Sequence, residues 1–347
     1  MGHDAAYLLS VPLADAARLL GTGRDAIRKT FRDLASTWHP DHCGDPRAAQ
    51  VFAHVMKLRD AALRAAGNPS APTERTREFK REDGSAFAMR ILREHRIDTG
   101  ELLVGPHSFA WLFEPEAADV AETEAARIAA FRFADAKMET EMRRFLPAVR
   151  RRIALAGGRT LLVQERGDDD VLLLDLLASF PPDASGIRIP AVHAAWIGSG
   201  LFHVACWLGW AGEVHGAIGP ENVVVNSSTH EVRLLGGFGF GGRVGNRPAV
   251  LPGRTLDLLP RLGLAGAGFA ATDDPELIRL TLREILGDPA GGQLLRGTVP
   301  APLARFLALP AAASALDDYL AWQKVLEATW GQRRFAHLDR TAATLYS

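Results

Sequence analysis

The stretch HGAIGPENVVV, from His215 to Val225, is a polar loop that ends in an apolar run typical of a short strand. A second strand-like run, EVRLL, follows the polar turn at 226–230, and the glycine-rich GGFGFGG at 236–242 comes next. Before the loop, the apolar stretch near 191–212 is interrupted by glycines and histidines, which favours a buried helix over a membrane span. The sequence predicts a buried helix, a polar loop, two strands and a flexible glycine-rich segment. No GK[ST] follows that segment, so we do not expect a phosphate loop.

Composition limits what the 347-residue chain can be. The length favours two or more domains, and 47% hydrophobic with 23% charged residues is typical of a soluble globular protein. A net charge of -1 gives no global basic field for nucleic acid. Cys43 and Cys206 form no metal-binding spacing, and no signal peptide is visible. We therefore expect a cytoplasmic protein with no metal, no cofactor, no nucleic-acid partner and no membrane partner.

Residues 1–66 have helical patterns. A short helix is predicted around 13–20, followed by two longer helices separated by WHPDHCGDP, where Pro40 disfavours continuation of the first. Asp45 and Pro46 suit the start of the second. The apolar stripes of the two longer helices are Ile27, Phe31, Leu34, Trp38 and Val51, Val55, Leu58, Ala62. Residues 67–76 are a linker by composition.

This helix, loop and helix resemble the J-domain over residues 8–66. The resemblance implies that the domain docks on a DnaK-type heat-shock chaperone and stimulates ATP hydrolysis by that partner. His39, Pro40 and Asp41 would be the stimulating loop, and Arg28, Lys29 and Arg32 the basic docking face. On the alternative reading, these residues are an ordinary turn and a solvated helix face. Neither a Gly/Phe-rich segment nor a zinc centre follows, so a general-purpose co-chaperone is not expected.

The remaining chain resembles the protein kinase fold over residues 77–335. SAFAMRILR, ELLVG and FAWLFEP predict strands, residues 116–145 a helical segment, and RRIAL and TLLVQER a hairpin around Gly157-Gly158. Kinase catalytic loops carry H-R-D-L-x-x-x-N, two short strands and then D-F-G. The matching positions here are His215, Asn222, Phe238 and Gly239. Glu124 matches the glutamate that pairs with the ATP-anchoring lysine, and Asp273 or Asp274 the acid that braces the loop.

The departures from this pattern lie at chemically necessary positions. By the resemblance, Ala217 replaces the catalytic base, Gly219 a cation that meets the transferred phosphate, and Gly237 a metal-binding aspartate. The anchoring lysine should lie near Leu112 or Phe113, yet no lysine occurs between Lys80 and Lys137. Losing one such group typically lowers the rate by orders of magnitude, and Asn222 alone is a poor magnesium site. The resemblance therefore implies a pseudokinase with no catalytic residue.

The expected fold is a multidomain α+β chain. An N-terminal all-α J-domain helical hairpin (1–66) and a linker (67–76) precede a bilobal kinase-like fold with a β-rich N-lobe (77–166) and a helical C-lobe (167–347). J-domains followed by a degenerate kinase fold form a recognisable bacterial type, and WGQRRFAHLD resembles its ending. The expected function is a specialised co-chaperone whose pseudokinase domain binds an unknown protein client and delivers it to the DnaK-type partner.

Two alternatives remain open. One is an atypical kinase or nucleotide transferase that uses the acids near the hinge: Glu165, Asp168, Asp169 and Asp170. The other is an inactive structural scaffold.

Overall fold

The computed structural model describes the chain except for residues 1–3, 22–23, 39–42, 68–74, 182–187, 259–261, 263–267, 293, 295–296, 298, 333–334 and 347. The chain divides into two compact units, Met1–Ala71 and Pro72–Ser347. Each unit has its own hydrophobic core and is described by itself.

The described part of the first unit is helical. It contains α1 (Ala5–Ser10), a 3₁₀ turn (Leu13–Asp15), α2 (Ala16–Leu20), α3 (Arg24–Trp38) and α4 (Ala48–Gly67). The predicted stripes of α3 and α4 line the core, except that Phe31 is only half-buried. Helix α4 begins two residues later than Asp45-Pro46 predicts, because the Asp45 carboxylate accepts the Arg47 N–H (2.8 Å) in a turn before the helix.

The second unit begins with antiparallel strands. They are β1 (Arg75–Lys80), β2 (Ala86–Ile91), β3 (Arg93–Ile97), β4 (Gly100–Val104), β5 (Ser108–Phe113), β6 (Val149–Leu155) and β7 (Arg159–Glu165). β1 and β2 form a hairpin, and the other five form one sheet in the order β3-β4-β5-β7-β6. Two helices, α5 (Ala118–Ala129) and α6 (Ala136–Arg143), lie in sequence between β5 and β6. We call this the sheet part.

Two sequence predictions need correction here. The run SAFAMRILR is not one strand, because a bend at Leu92 separates β2 from β3. Strand β1 begins at Arg75, inside the predicted linker. The predicted β6–β7 hairpin is present, with Gly157 and Gly158 at φ of +78° and +74°, a conformation that favours glycine.

The rest of the second unit is mainly helical, and we call it the helical part. Its elements are β8 (Asp170–Leu172), α7 (Leu173–Ser179), α8 (Ala191–Ala211), β9 (Glu213–Val214), β10 (Val223–Asn226), β11 (Val232–Leu234), β12 (Gly242–Arg243), α9 (Gly253–Leu258), α10 (Asp273–Ile285), α11 (Ala301–Ala308), α12 (Ala315–Trp330) and α13 (Ala342–Leu345). The strands predicted on both sides of the turn at 226–230 are β10 and β11, which pair antiparallel. The α+β organisation predicted from the sequence, strands first and helices later, is confirmed.

One hydrophobic core joins the sheet part to the helical part. Leu102, Val104 and Phe109 of the sheet belong to the same buried cluster as Leu172 and Val224. Helix α8 runs through the helical part. By length and composition alone it could cross a membrane, but most of its residues are buried inside the unit, as in a core helix. The loop quoted above follows α8 and is therefore held against a packed interior.

Candidate functional site

Asp274, at the start of α10, braces the loop from His215 to Asn222. The Asp274 carboxylate accepts the backbone N–H groups of His215 (2.7 Å) and Gly216 (2.9 Å). Asp273, the other candidate for this role, instead accepts the N–H of Ala270 (2.7 Å). Burial raises the pKa of Asp274 to about 7, although the two N–H bonds act in the opposite direction. The brace therefore holds the backbone of the loop.

His215 is fully buried and serves the architecture of the loop. Its Nε2 lies 2.9 Å from the Gly236 carbonyl oxygen, and its Nδ1 accepts the N–H of Ala217 (3.3 Å). A carbonyl needs a donor and an amide needs an acceptor, so this pair of contacts assigns the proton to Nε2 of a neutral ring. Burial lowers the pKa of His215 to about 3. Both nitrogens of the neutral ring are therefore engaged, one with Gly236 and the other with Ala217.

Asn222, which by resemblance would hold a metal, uses both ends of its amide inside the loop. Its Nδ2 donates to the Ala217 carbonyl, and its Oδ1 accepts the Gly219 N–H (3.1 Å). The side chain is 2% exposed. Asn222 thus closes the loop on itself.

The carbonyl groups of the loop are also bonded. Arg254 donates to the Ile218 oxygen (2.9 Å) and pairs with Glu284 (3.1 Å), while Thr255 donates to the Gly216 oxygen (2.8 Å). At Gly219, a Cβ would lie 2.7 Å from a Glu221 carboxylate oxygen, so a longer side chain would require Glu221 to move. Arg254 was not anticipated from the sequence, because it lies far along the chain and no motif marks it.

Gly237 marks the position where the resemblance places a metal-binding carboxylate. Its φ is +98°, which L-residues rarely adopt. A Cβ there would lie 2.7 Å from Asn222 Nδ2 and 2.8 Å from His215 Cε1. The space for a side chain is already filled by the two polar residues of the loop. These residues do not fit a magnesium site, and the described residues contain no group of three or more potential metal ligands.

Glu124 on α5 is buried and bound to the glycine-rich segment. Its carboxylate accepts the N–H groups of Gly237 (3.2 Å) and Gly239 (2.6 Å). Burial raises the pKa of Glu124 to about 7. The glutamate that the resemblance pairs with lysine instead anchors the backbone beside Phe238.

The side chain that meets Glu124 from the sheet is Trp111, not Leu112 or Phe113. A Cβ on Gly236 would overlap the Trp111 ring and lie 2.9 Å from Glu124 Oε1, so the ring and the carboxylate meet at this glycine. Leu112 packs on the opposite face of the sheet. Phe113 lies on the same face as Trp111 and stacks on its ring, with 5.6 Å between centroids, because side chains alternate between faces along a strand. An indole therefore stands where the resemblance places a cation.

The glycine-rich segment 236–242 is closely packed rather than open. A Cβ on Gly239 would lie 2.6 Å from the Val120 carbonyl oxygen, and one on Gly242 would lie 2.6 Å from the Phe269 ring. Phe238–Phe240 form a 3₁₀ turn whose two phenylalanines are buried. The expected flexible segment is fixed by contacts on both sides.

A cavity of about 500 Å³ lies between the β3–β4 turn, the start of α5 and the segment after Phe240. Its described lining includes one basic residue, Arg96, and four acidic residues: Asp98, Glu101, Glu114 and Glu116. Two of the acids serve the structure, since Asp98 accepts the Gly253 N–H (2.6 Å) and Glu101 pairs with Arg77. The balance of charge opposes a polyphosphate ligand.

The predicted J-domain residues are described only in part. His39, Pro40 and Asp41 lie outside the described residues, as do the side chains of Arg28 and Arg32. The Lys29 side chain is exposed on α3. The assignment of this face and loop stays a prediction.

Comparison with known proteins gives structural matches alone. No protein-family model matches the chain, and no curated protein matches it significantly. A double mutant of the PknI kinase domain from Mycobacterium tuberculosis is 15% identical, with 74% of this chain and 99% of that chain covered and a TM-score of 0.46. A rhoptry kinase from Toxoplasma gondii is 14% identical, with coverages of 74% and 84% and the same TM-score. Both of these proteins are protein kinases.

Proposed function

We propose that residues 72–347 form a pseudokinase, a kinase-like domain that binds another protein instead of transferring phosphate. The observation that carries the proposal is the closure of the loop around Gly237. Asn222 and His215 fill the space of a metal-binding side chain, and their polar atoms bond to the loop and to Gly236. Phosphoryl transfer depends on positioned charge, and here the expected charged positions carry alanine, glycine and tryptophan.

The closed loop distinguishes this proposal from an enzyme that lacks one residue. The base position, Ala217, is 3% exposed, and the loop's polar groups bond to each other and to its braces. Introducing a carboxylate or a lysine would require the surrounding side chains to move. The acidic cavity near the start of α5 adds a further barrier to a nucleotide.

For the first unit, the proposed activity is stimulation of a DnaK-type chaperone. The support is the packing of α3 on α4 around a shared core, with His-Pro-Asp in the connection and Lys29 exposed. Cations on one helix face would steer association with an acidic partner. With a client bound to the second unit, the linkage between the units would raise the local concentration of that client at the chaperone. A cytoplasmic location belongs to this proposal.

The rival is an atypical kinase or nucleotide transferase with a displaced site near the hinge acids. Two of those acids form ion pairs, the mostly buried Asp170 with Arg233 (2.7 Å) and the exposed Glu165 with Arg150 (3.0 Å). Asp169 accepts the Ser228 hydroxyl (2.6 Å). These bonds favour the pseudokinase over the displaced enzyme. The inactive scaffold differs from the co-chaperone in the activity of its first unit alone.

A thermal-shift titration with ATP and Mg²⁺ tests the pseudokinase proposal. A ligand at a hundred times its Kd stabilises the folded state by about 2.7 kcal/mol, enough to raise Tm by about 5 °C. We expect no saturable shift beyond that of Mg²⁺ alone. A saturable rise, or transfer of labelled phosphate to any substrate, would contradict the proposal.

ATP hydrolysis by a DnaK-type chaperone, measured with the full chain, tests the co-chaperone proposal. We expect stimulation by the wild type and its loss in His39→Gln. Lys29→Ala should weaken stimulation, and Lys57→Ala, which removes an exposed lysine from α4, is the matched control. Equal stimulation by wild type and His39→Gln, or none by either, would contradict the co-chaperone proposal, and the absence of stimulation by both would favour the inactive scaffold.

A further inference from the structure

The segment Phe335–Tyr346, which we call the strap, follows α12 and is anchored at several points. The Phe335 ring stacks on His230 at 3.9 Å between centroids, and His230 stacks on Trp196 at 4.4 Å. Leu338 and Ala342 are buried in the core shared by the sheet and helical parts. The strap ends at Tyr346, whose side chain is almost completely enclosed.

Tyr346 lies in a site that matches a phenol group. Its hydroxyl donates to Asp175 Oδ2 (2.8 Å) and accepts the Leu172 N–H (3.0 Å). The Arg166 guanidinium lies over the ring, 5.0 Å from its centroid. Donor and acceptor functions of the hydroxyl are both satisfied, and burial raises the pKa of Tyr346 well above its usual value. A phenylalanine would fill the same space but leave a buried carboxylate oxygen and a buried N–H without this partner.

The tyrosine site, formed by Arg166, Leu172 and Asp175, lies where the sheet part meets the helical part. Arg166 follows β7 and donates to the carbonyls of Gly105 (2.9 Å) and Pro106 (2.6 Å) in the β4–β5 connection. Asp175 Oδ1 lies 3.0 Å from Nε2 of His95 on β3. The strap adds its own link, because Arg93 of β3 donates to the Leu345 carbonyl (2.7 Å).

We propose that the tyrosine site binds the side chain of a tyrosine in a peptide and that the strap occupies it as an intramolecular ligand. In the structure the bound group is the neutral phenol of Tyr346. With Tyr346 in place, the strap connects β3, the residues after β7 and the helical part, and it excludes any other tyrosine from the site. The inference does not depend on the pseudokinase or co-chaperone proposals, since it uses neither the loop at His215 nor the first unit.

Chemical rescue in the full chain tests the site. Tyr346→Ala should lower Tm by roughly 5–10 °C, since it removes a buried aromatic ring. p-Cresol, the side chain of tyrosine as a free molecule, should raise the Tm of this variant saturably. Toluene, which lacks the hydroxyl, should raise it less, and neither should affect the wild type. Leu309→Ala removes a side chain that is 61% exposed and is the control.

Two further measurements address specificity and the strap itself. Tyr346→Phe should lower Tm by about 2–4 °C, because it removes the hydroxyl bonds alone. A labelled peptide of residues 335–347 should bind a variant that ends at Gln332 and should not bind the wild type. If that variant does not fold, the p-cresol experiment decides. The proposal fails if Tyr346→Ala leaves Tm unchanged, if p-cresol gives no rescue, or if toluene rescues as well as p-cresol.

Discussion

The region around Gly237, which we call the centre, is lined on one side by the helical part and on the other by the sheet part. The two sides differ in which polar residues they contain. On the helical side, His215, Asn222 and Asp274 are present, and each bonds to backbone groups of the loop or of Gly236. On the sheet side, Glu124 is present and bonds to backbone, but the side chain opposite is the indole of Trp111. The polar groups found here are those with a backbone partner. At the positions where the resemblance places charges that would act on phosphate alone, the chain has small or apolar side chains.

The brace provides the largest expected effect on the helical side. Asp274→Ala leaves the buried N–H groups of His215 and Gly216 without their acceptor, so the free energy of unfolding should fall by about 3–5 kcal/mol. Urea unfolding at pH 7 measures this. Asp168→Ala, which removes a carboxylate that is 95% exposed, should change stability by less than about 0.5 kcal/mol. Equal effects of the two changes would show that the brace has no structural role.

The contact between Trp111 and Gly236 tests the sheet side. Gly236→Ala forces a methyl group into the indole and should destabilise by about 2–3 kcal/mol. Combining it with Trp111→Leu should recover part of this loss, as a double-mutant cycle would reveal. Gly209→Ala, on α8 with only an ordinary contact at 3.8 Å, should be neutral or stabilising. Strict additivity of the Gly236 and Trp111 changes would argue against the contact.

A pH profile separates Glu124 from the rest of the centre. Its pKa is raised from 4.5 to about 7 in the folded state. Between these values the folded state binds more protons than the unfolded chain, so stability falls as pH rises across the window. Glu124→Gln should remove roughly 2–3 kcal/mol of this fall between pH 5 and pH 8. Glu122→Gln, exposed on the same helix, should leave the profile unchanged. The raised pKa of Asp274 also makes stability fall as pH rises, and it does so equally in the wild type, Glu124→Gln and Glu122→Gln.

The smallest expected effect is on metal binding. A double variant, Ala217→Asp with Gly237→Asp, restores the carboxylates that the kinase pattern requires. Calorimetry should still detect no saturable Mg²⁺–ATP binding, because Asn222 and His215 occupy the space beside residue 237. Circular dichroism would verify that the variant is folded. Binding in the folded variant would mean that the centre lacks ligands without being closed.

The order of elements around the loop could be predicted from the sequence because it depends on local patterns. His215, Asn222 and Phe238 stand at the ends of a helix and strands that apolar runs and turns make visible, and Asp274 lies at the start of a helix with clear boundaries. Glu124 lies on α5, the helix that follows β5, and contacts the glycine-rich segment. These residues could be placed because they lie close together in sequence or on helices whose apolar pattern and end signals are clear.

Other features depend on tertiary packing and could not be found this way. Trp111 was not named from the sequence, because the apolar run FAWLFEP does not show which of its residues faces α5. Arg254 and Tyr346 were missed because each acts on an element distant in sequence, with nothing local to mark the contact. Only the first two residues of β1, Arg75 and Thr76, fall in the predicted linker, and no strand was predicted over RTREFK because this sequence is polar; its pairing with β2 became evident in the structure alone.

Glu124 has a consequence for how the second unit could be controlled. Both oxygens of its carboxylate hold amides of the glycine-rich segment, and the Trp111 ring fills the space in front of it. Helix α5 is therefore tied to the glycine-rich segment by Glu124, and Trp111 stands where the resemblance places the lysine partner of this glutamate. Under the pseudokinase proposal, the position of α5 would not respond to nucleotide, and the domain would present the same surface to a client whatever the ATP concentration. Its output would then depend on the amount of the protein and on competition among clients for that surface.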